Sequence, residues 1–120
     1  MLGRMKNAGI KMGVGVDNGA EVDLHPTSYI RELKTFVEAG YTIPEALVAA
    51  TKDGADILDM GDKLGTLEPG KLADVVVIDG RPDVNLDDLA NTDMVIRDGY
   101  IVVKDGRIFV PRHVPPSQRN

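Results

Sequence analysis

An acidic residue at the end of an apolar run is the strongest chemical signal in this sequence. Residues 9–19 read GIKMGVGVDNG, in which four apolar residues alternate with one lysine and two glycines, a pattern that predicts a β-strand over 10–16. A carboxylate at the end of a strand, as at Asp17, can ligate a divalent metal and accept a proton from metal-bound water. Asn18 and Gly19 follow, so turn formation by Asp17 is the alternative that spacing alone leaves open.

Two histidines are the other candidate ligands. His25 lies eight residues after Asp17 in a loop ahead of a predicted helix, where a solvated histidine is the plainer interpretation. His113 falls in a proline-rich tail and is predicted to be a surface residue. Hydrolytic zinc generally takes three protein ligands and an open position, so Asp17 and His25 do not complete such a site. The segment follows neither the calcium-loop nor the phosphate-loop pattern.

Composition narrows the classes of function. The chain has 120 residues, a formal net charge of -5 and no cysteine. The acidic balance disfavours nucleic acid as a partner, and the absence of cysteine excludes disulfides and thiolate metal sites. The longest apolar run, ADVVVI, is too short to cross a membrane, so we expect no membrane partner and a cytoplasmic location.

The first half of the chain has the periodicity of helices. Apolar residues at spacings of three and four predict a helix over 27–39, ended by Gly40. Thr42 and Glu45 form a capping-box signal for a second helix. Gly54 weakens this helix, and we expect its pattern to resume through Ala55, Ile57 and Leu58 and to stop near residue 61.

The second half has the signals of an antiparallel sheet. LEPGK at 67–71 predicts a type II turn, and ADVVVI after it predicts a strand buried on both faces. We expect Asp74 to accept hydrogen bonds from backbone amides of that turn. One helical turn is predicted at 86–89, and Asp-Gly pairs at 98–99 and 105–106 predict hairpins between three short strands.

Three stretches in this order resemble the C-terminal part of the amidohydrolase superfamily of metal-dependent hydrolases. They are GIKMGVGVDNG, ELKTFVEAGYTIPEALVAATKDGADILDMGDKLGTLEPGKLADVVVIDGRP and VIRDGYIVVKDGRI. The resemblance covers about residues 8–110 and lies closest to the imidazolonepropionase-like and metal-dependent prolidase or carboxypeptidase branches. GTLEPGKLADVVVIDG is its most specific segment, and it identifies the superfamily without identifying the substrate.

The resemblance implies an α/β fold made of the last strand-helix units of a (β/α)8 barrel, followed by the C-terminal half of a small β-sandwich. Residues 1–62 would be the barrel segment, with 10–16 as the eighth strand. Residues 63–112 would be the sandwich segment, and 113–120 a mobile tail.

The resemblance also assigns the site. Asp17 matches the aspartate at the tip of the eighth strand and would be the metal ligand and proton-transfer residue. Asn18 and His25 would lie in a loop that lines the substrate pocket. Val16 stands where the family usually has a small hydroxyl residue, which is a departure beside the site. The implied cofactor is a divalent metal, with zinc expected in the complete enzyme and none expected on this chain alone.

The implied activity is hydrolysis of C–N bonds by a metal-activated water. The family's other ligands lie on earlier strands, so we expect the 120-residue chain alone to be catalytically incomplete. The alternative is a non-catalytic, self-associating domain derived from such an enzyme. Expected partners are a small-molecule or peptide substrate, a second copy of the chain, or the N-terminal half of the enzyme. An amide, a peptide bond beside proline and a cyclic C–N bond all stay open as substrates.

Overall fold

The structure, a computed structural model, describes residues 1–16 and 28–109. The proposed tail at 113–120 and the candidate site residues Asp17, Asn18 and His25 lie outside the described residues. The elements are α1 (Leu2–Asn7), α2 (Ser28–Glu38), α3 (Ile43–Val48), a π-helical segment (Ala49–Asp53), α4 (Gly54–Ile57), β1 (Val75–Ile78), a 3-10 helix (Leu86–Ala90), β2 (Thr92–Arg97), β3 (Tyr100–Lys104) and β4 (Arg107–Ile108).

The two main helices confirm the sequence pattern. The apolar stripe of α2 is buried at Ile30, Leu33 and Phe36. The backbone N–H of Glu45 donates to the hydroxyl of Thr42, and the Glu45 carboxylate accepts from the Thr42 backbone N–H at 2.7 Å. These reciprocal bonds satisfy donors that the first turn of a helix otherwise leaves open, which is why α3 begins where it does.

The chain after α3 departs from the apolar pattern expected through Ala55, Ile57 and Leu58. Residues Ala49–Asp53 form a π-helical segment, whose wider turn carries an additional residue and shifts the face that follows. Ala55 is consequently buried, whereas Ile57 is 54% exposed and Leu58 is 70% exposed. The helix α4 ends at Ile57, four residues before the expected stop.

The sheet has four antiparallel strands in the order β1-β2-β3-β4. Both hairpins turn at the predicted Asp-Gly pairs, with positive φ at each aspartate and each glycine. Left-handed backbone at both central positions is the type I′ turn that the twist of a hairpin favours. The turn at 67–71 is confirmed by positive φ at Gly70 and by a bond from the Lys71 N–H to the Glu68 carbonyl.

Two expectations about β1 are wrong. The strand forms, but it lies at the sheet edge and Val76 is 56% exposed, so it is not buried on both faces. Asp74 accepts from the Asp98 backbone N–H at 2.7 Å, in the β2–β3 turn and not in the turn at 67–71. The sheet brings residues 74 and 98 together because β1 runs antiparallel to β2, a pairing that local sequence did not reveal.

The buried core lies between the helices, with one residue from the second half of the chain. Ile30, Leu33, Phe36, Ala46 and Ala49 form one cluster, and Leu86 from the 3-10 helix completes it. The ammonium of Lys34 on α2 donates to Asp87 at 2.7 and 2.8 Å beside that contact. The connection between β1 and β2 therefore anchors the sheet to the helices.

The α/β class is confirmed as a mixture of helices and an antiparallel sheet. The division at residue 62 stays a prediction. The sequence pattern did not predict α1. Across the described residues, no helix combines the length and apolar character needed to span a membrane.

Replacing Leu86 with alanine tests whether this anchor supports the helical core. The side chain is 4% exposed, and removing it from the cluster is expected to lower the free energy of unfolding by about 2 to 5 kcal/mol. Leu67→Ala is the matched control because Leu67 is 80% exposed. Urea unfolding of both variants measures the difference, and equal effects would contradict the assigned core.

Candidate functional site

The segment that leads to Asp17 is described up to Val16. Residues 10–16 form no strand, so the strand prediction is wrong for this chain. The Ile10 N–H donates to the Met5 carbonyl, but no backbone hydrogen bond joins residues 11–16 to another part of the described chain. A strand exists only with a neighbour to pair with, and the sheet of the described residues lies wholly within 75–108.

Side chains hold the segment against the helices. Met12 and Val14 pack on the core cluster. Gly13 lies against α4: a Cβ built there would be 3.2 Å from Cδ1 of Ile57 and 3.5 Å from Cα of Gly54. A larger residue at position 13 would have to displace the tip of the Ile57 side chain, so this close approach to α4 favours glycine there.

An ion network fixes the same segment to the same helix. The Lys11 ammonium donates to the Asp56 carboxylate at 2.5 Å, and Lys52 donates to the same oxygen at 3.1 Å. Bonding to Lys11 first and to Lys52 second lowers the pKa of Asp56, and Asp56 in turn raises the pKa of Lys11. Sequence patterns did not predict this contact, because 45 residues separate Lys11 from Asp56 and no local motif links them.

A cleft of about 530 Å³ opens between α1, the segment at 9–12 and the start of α3. At its wall the Lys6 ammonium donates to the Gly40 carbonyl at 2.7 Å and to the Glu45 carboxylate at 2.8 Å. The same ammonium lies 4.6 Å from the centroid of the Tyr41 ring. Bonding to Lys6, then to the backbone and hydroxyl of Thr42, lowers the pKa of Glu45 to about 2.

Within residues 1–16 and 28–109, no three or more histidine, cysteine, aspartate or glutamate side chains come together as a metal site. The carboxylate that the segment contacts, Asp56, is paired with Lys11, and Glu45 in the neighbouring cleft is paired with Lys6. The described residues therefore do not fit a catalytic metal by themselves, and whether Asp17, Asn18 and His25 meet is outside what the structure describes.

The chain is similar to several known proteins. The family model described as Amidohydrolase family matches residues 1–108. An imidazolonepropionase from Geobacillus sp. is 36% identical over 75 residues, which cover 60% of this chain and 18% of that protein. A 5-methylthioadenosine/S-adenosylhomocysteine deaminase from Desulforudis audaxviator is 32% identical over 129 residues, covering 88% of this chain and 29% of that protein.

Solved structures agree with these relatives. A crystal structure of a Xaa-Pro dipeptidase, with methionine bound in its active site, is similar to this chain with a TM-score of 0.74. The two chains are 36% identical, and the match covers 83% of this chain and 24% of that one. This chain thus spans between 18% and 29% of the length of these three relatives.

The depressed pKa of Glu45 predicts a pH dependence of stability. Because this pKa is about 2 in the folded chain against an ordinary 4.5, the interaction stabilises the fold above pH 4.5. That stability is lost as the pH falls from 4.5 towards 2. In Glu45→Gln, the free energy of unfolding should therefore decline less steeply over this range than in the wild type.

Urea unfolding at several pH values in low salt measures this slope. Salt screens the contact, because the Glu45 side chain is 49% exposed. Glu38→Gln removes the same charge from the exposed end of α2 and should keep the wild-type slope. An unchanged slope in Glu45→Gln would show that the carboxylate gains nothing from Lys6 and Thr42.

Proposed function

Because the chain belongs to the amidohydrolase family, we propose that it is the C-terminal part of a metal-dependent hydrolase that cleaves C–N bonds. The observation that carries the proposal is the apolar segment 11–16, which lies on the helical core and has no backbone hydrogen bond to any described residue. Such a segment is what remains when one strand of a closed barrel is separated from its neighbours.

The unpaired backbone supports a missing neighbour on physical grounds. Buried backbone N–H and C=O groups are almost always hydrogen-bonded, since an unpaired one costs free energy comparable to a lost hydrogen bond. Residues 12–14 are already half-buried, so covering them further without partners would be unfavourable. Adjacent strands on both sides would pair these groups and close the cleft beside 9–12.

The exposed sheet supports a second missing layer. No residue of the four strands is buried, although most of their residues are apolar. Val76, Tyr100, Ile101 and Ile108 are between 45% and 77% exposed. An antiparallel sheet normally packs at least one apolar face, and a second sheet would complete the proposed β-sandwich. We therefore retain 1–62 as the barrel segment and 63–112 as half of the sandwich.

Asp17 is the residue we propose for the chemistry. It follows the segment directly, where barrel enzymes place catalytic side chains at the ends of strands. A divalent metal is general in this family; we propose zinc, which when bound would supply an activated water. Asp17 would act as one ligand and accept a proton, and Asn18 and His25 would line the substrate pocket. The remaining ligands would come from strands beyond the described residues.

For the substrate, we propose only the type of bond that is cleaved. The imidazolonepropionase, the deaminase and the dipeptidase are the relatives that support a C–N bond in a small molecule or a peptide. The loops that choose among such substrates follow several different barrel strands. Of those loops, this chain would supply only the proposed one that carries Asn18 and His25, so it carries the reaction class and only a small part of the specificity.

One observation favours a second candidate function. Among the described residues no strand pairs with the outer edge of β1, and Val76 and Val77 are exposed, which is the type of edge that recruits another strand. A non-catalytic domain that associates with copies of itself would use that edge and the exposed sheet. Sedimentation of the isolated chain distinguishes the two: reversible self-association to a defined oligomer favours the second candidate, and a monomer favours the first.

Replacing Asp17 with asparagine in the longer hydrolase tests the assigned role. Asparagine keeps the shape and the turn propensity but cannot accept a proton as a carboxylate does, so kcat should fall by about 100- to 10,000-fold. Asp62→Asn is the matched control, because Asp62 is an exposed aspartate outside the proposed pocket loop, and it should leave kcat nearly unchanged. Equal kcat values for Asp17→Asn and wild type would make Asp17 a turn residue only.

A further inference from the structure

Beyond the bond from Ile10 to Met5, residues 11–16 have no backbone hydrogen bond to another part of the described chain, so side-chain contacts determine where along α4 they lie. Two contacts do so, both on the α4-facing side of the segment. Lys11 reaches Asp56, and Gly13 lies against Gly54 and Ile57. The intervening residue Met12 and the next residue Val14 face the core cluster instead, as alternation requires.

Displacements of the segment by one residue and by two residues are opposed by different interactions. A one-residue slip would turn the apolar side of the segment away from the core, which its burial opposes. A two-residue slip that carried Lys11 into the place of Gly13 would put its Cβ 3.2 Å from Cδ1 of Ile57, tighter than usual, and in ordinary contact with Cα of Gly54 at 3.5 Å. Packing opposes this slip through the Ile57 side chain, and the slip would also carry Lys11 away from Asp56.

Movement in the opposite direction is not blocked by packing. It would bring Gly15 into the place of Gly13, and a glycine fits there equally well. Gly15 has no atom within 4 Å of a built Cβ, so nothing around it opposes the change. The slip would, however, carry Lys11 away from Asp56 and put Gly13 beside that carboxylate. The ion pair is the contact that distinguishes the two arrangements.

We propose that Lys11 is a positioning residue, which through Asp56 sets the register of residues 10–16 on α4 and hence the place of Asp17. The importance of Asp17 rests on the proposed function, whereas the register itself does not. A two-residue slip moves the end of the segment by roughly 7 Å, far beyond the tolerance of about 0.5 Å for a site residue. Exposed ion pairs add little stability, so a register role also explains why this pair is present.

Lys52 provides a matched control for the test. It is the other partner of Asp56, in the π-helical segment that precedes α4, and its removal costs the same charge and one bond to the same oxygen. Lys52→Met leaves the segment attached, whereas Lys11→Met frees it. Lys11→Arg restores a cation of similar reach, and Asp56→Asn weakens the pair from the other side.

The readout is the NOE between the Ile57 δ1 methyl and the α-protons of the segment, measured by NMR on the 120-residue chain. Wild type, Lys52→Met and Lys11→Arg should show the cross-peak to Gly13. Lys11→Met and Asp56→Asn should lose it and gain a cross-peak to Gly15. A Gly13 cross-peak retained alone in Lys11→Met would overturn the proposal, and so would global unfolding of that variant, since the pair would then be a folding element.

These measurements need neither metal nor substrate. A failure of the register proposal is therefore visible even if Asp17 has the assigned catalytic role. Conversely, if Asp17→Asn leaves kcat unchanged, the NOE pattern can still confirm the register.

Discussion

The structure depends on one constraint: backbone polar groups that leave water must find hydrogen-bond partners. Residues 11–16 include the apolar side chains of Met12, Val14 and Val16, which are suited to burial, and make no backbone bond to a described residue. The helices use the side chains of this segment, through Met12 and Val14, but cannot pair its backbone. The backbone of this segment therefore lacks hydrogen-bond partners in the described chain, and neighbouring strands of the proposed barrel would supply them.

The sheet is also incomplete, since it pairs its backbone but buries none of its residues. The strands pair with each other through their backbones, yet none of their residues is buried. The helices have a buried core but no neighbouring strand for the segment. Leu86 and the Lys34–Asp87 pair join these two incomplete parts by inserting the β1–β2 connection into the helical core. Packing at this contact joins the two parts, while the faces of the sheet remain apolar and exposed.

Sequence predicted the features that short-range chemistry decides. The Thr42–Glu45 box, the stripe of α2 and the Asp-Gly hairpins each depend on residues within a few positions, and the structure confirms them. What failed depends on distant partners or on a shift of helical phase. The strand at 10–16 lacks a neighbour, the Lys11–Asp56 contact spans 45 residues, and the π-helical segment redirects the face after Asp53. Asp17 was assigned through family resemblance, because its spacing alone favoured a turn residue.

Hydrogen–deuterium exchange of the backbone amides of residues 11–16 tests the central claim most directly. In the isolated chain these amides should exchange at nearly unprotected rates, while those of α2 are slowed by helical bonds and burial. In the longer hydrolase the same amides should become as protected as core strands. Protection of residues 11–16 in the isolated chain comparable to that of α2 would mean that they already have partners, and the account of a separated barrel strand would be wrong.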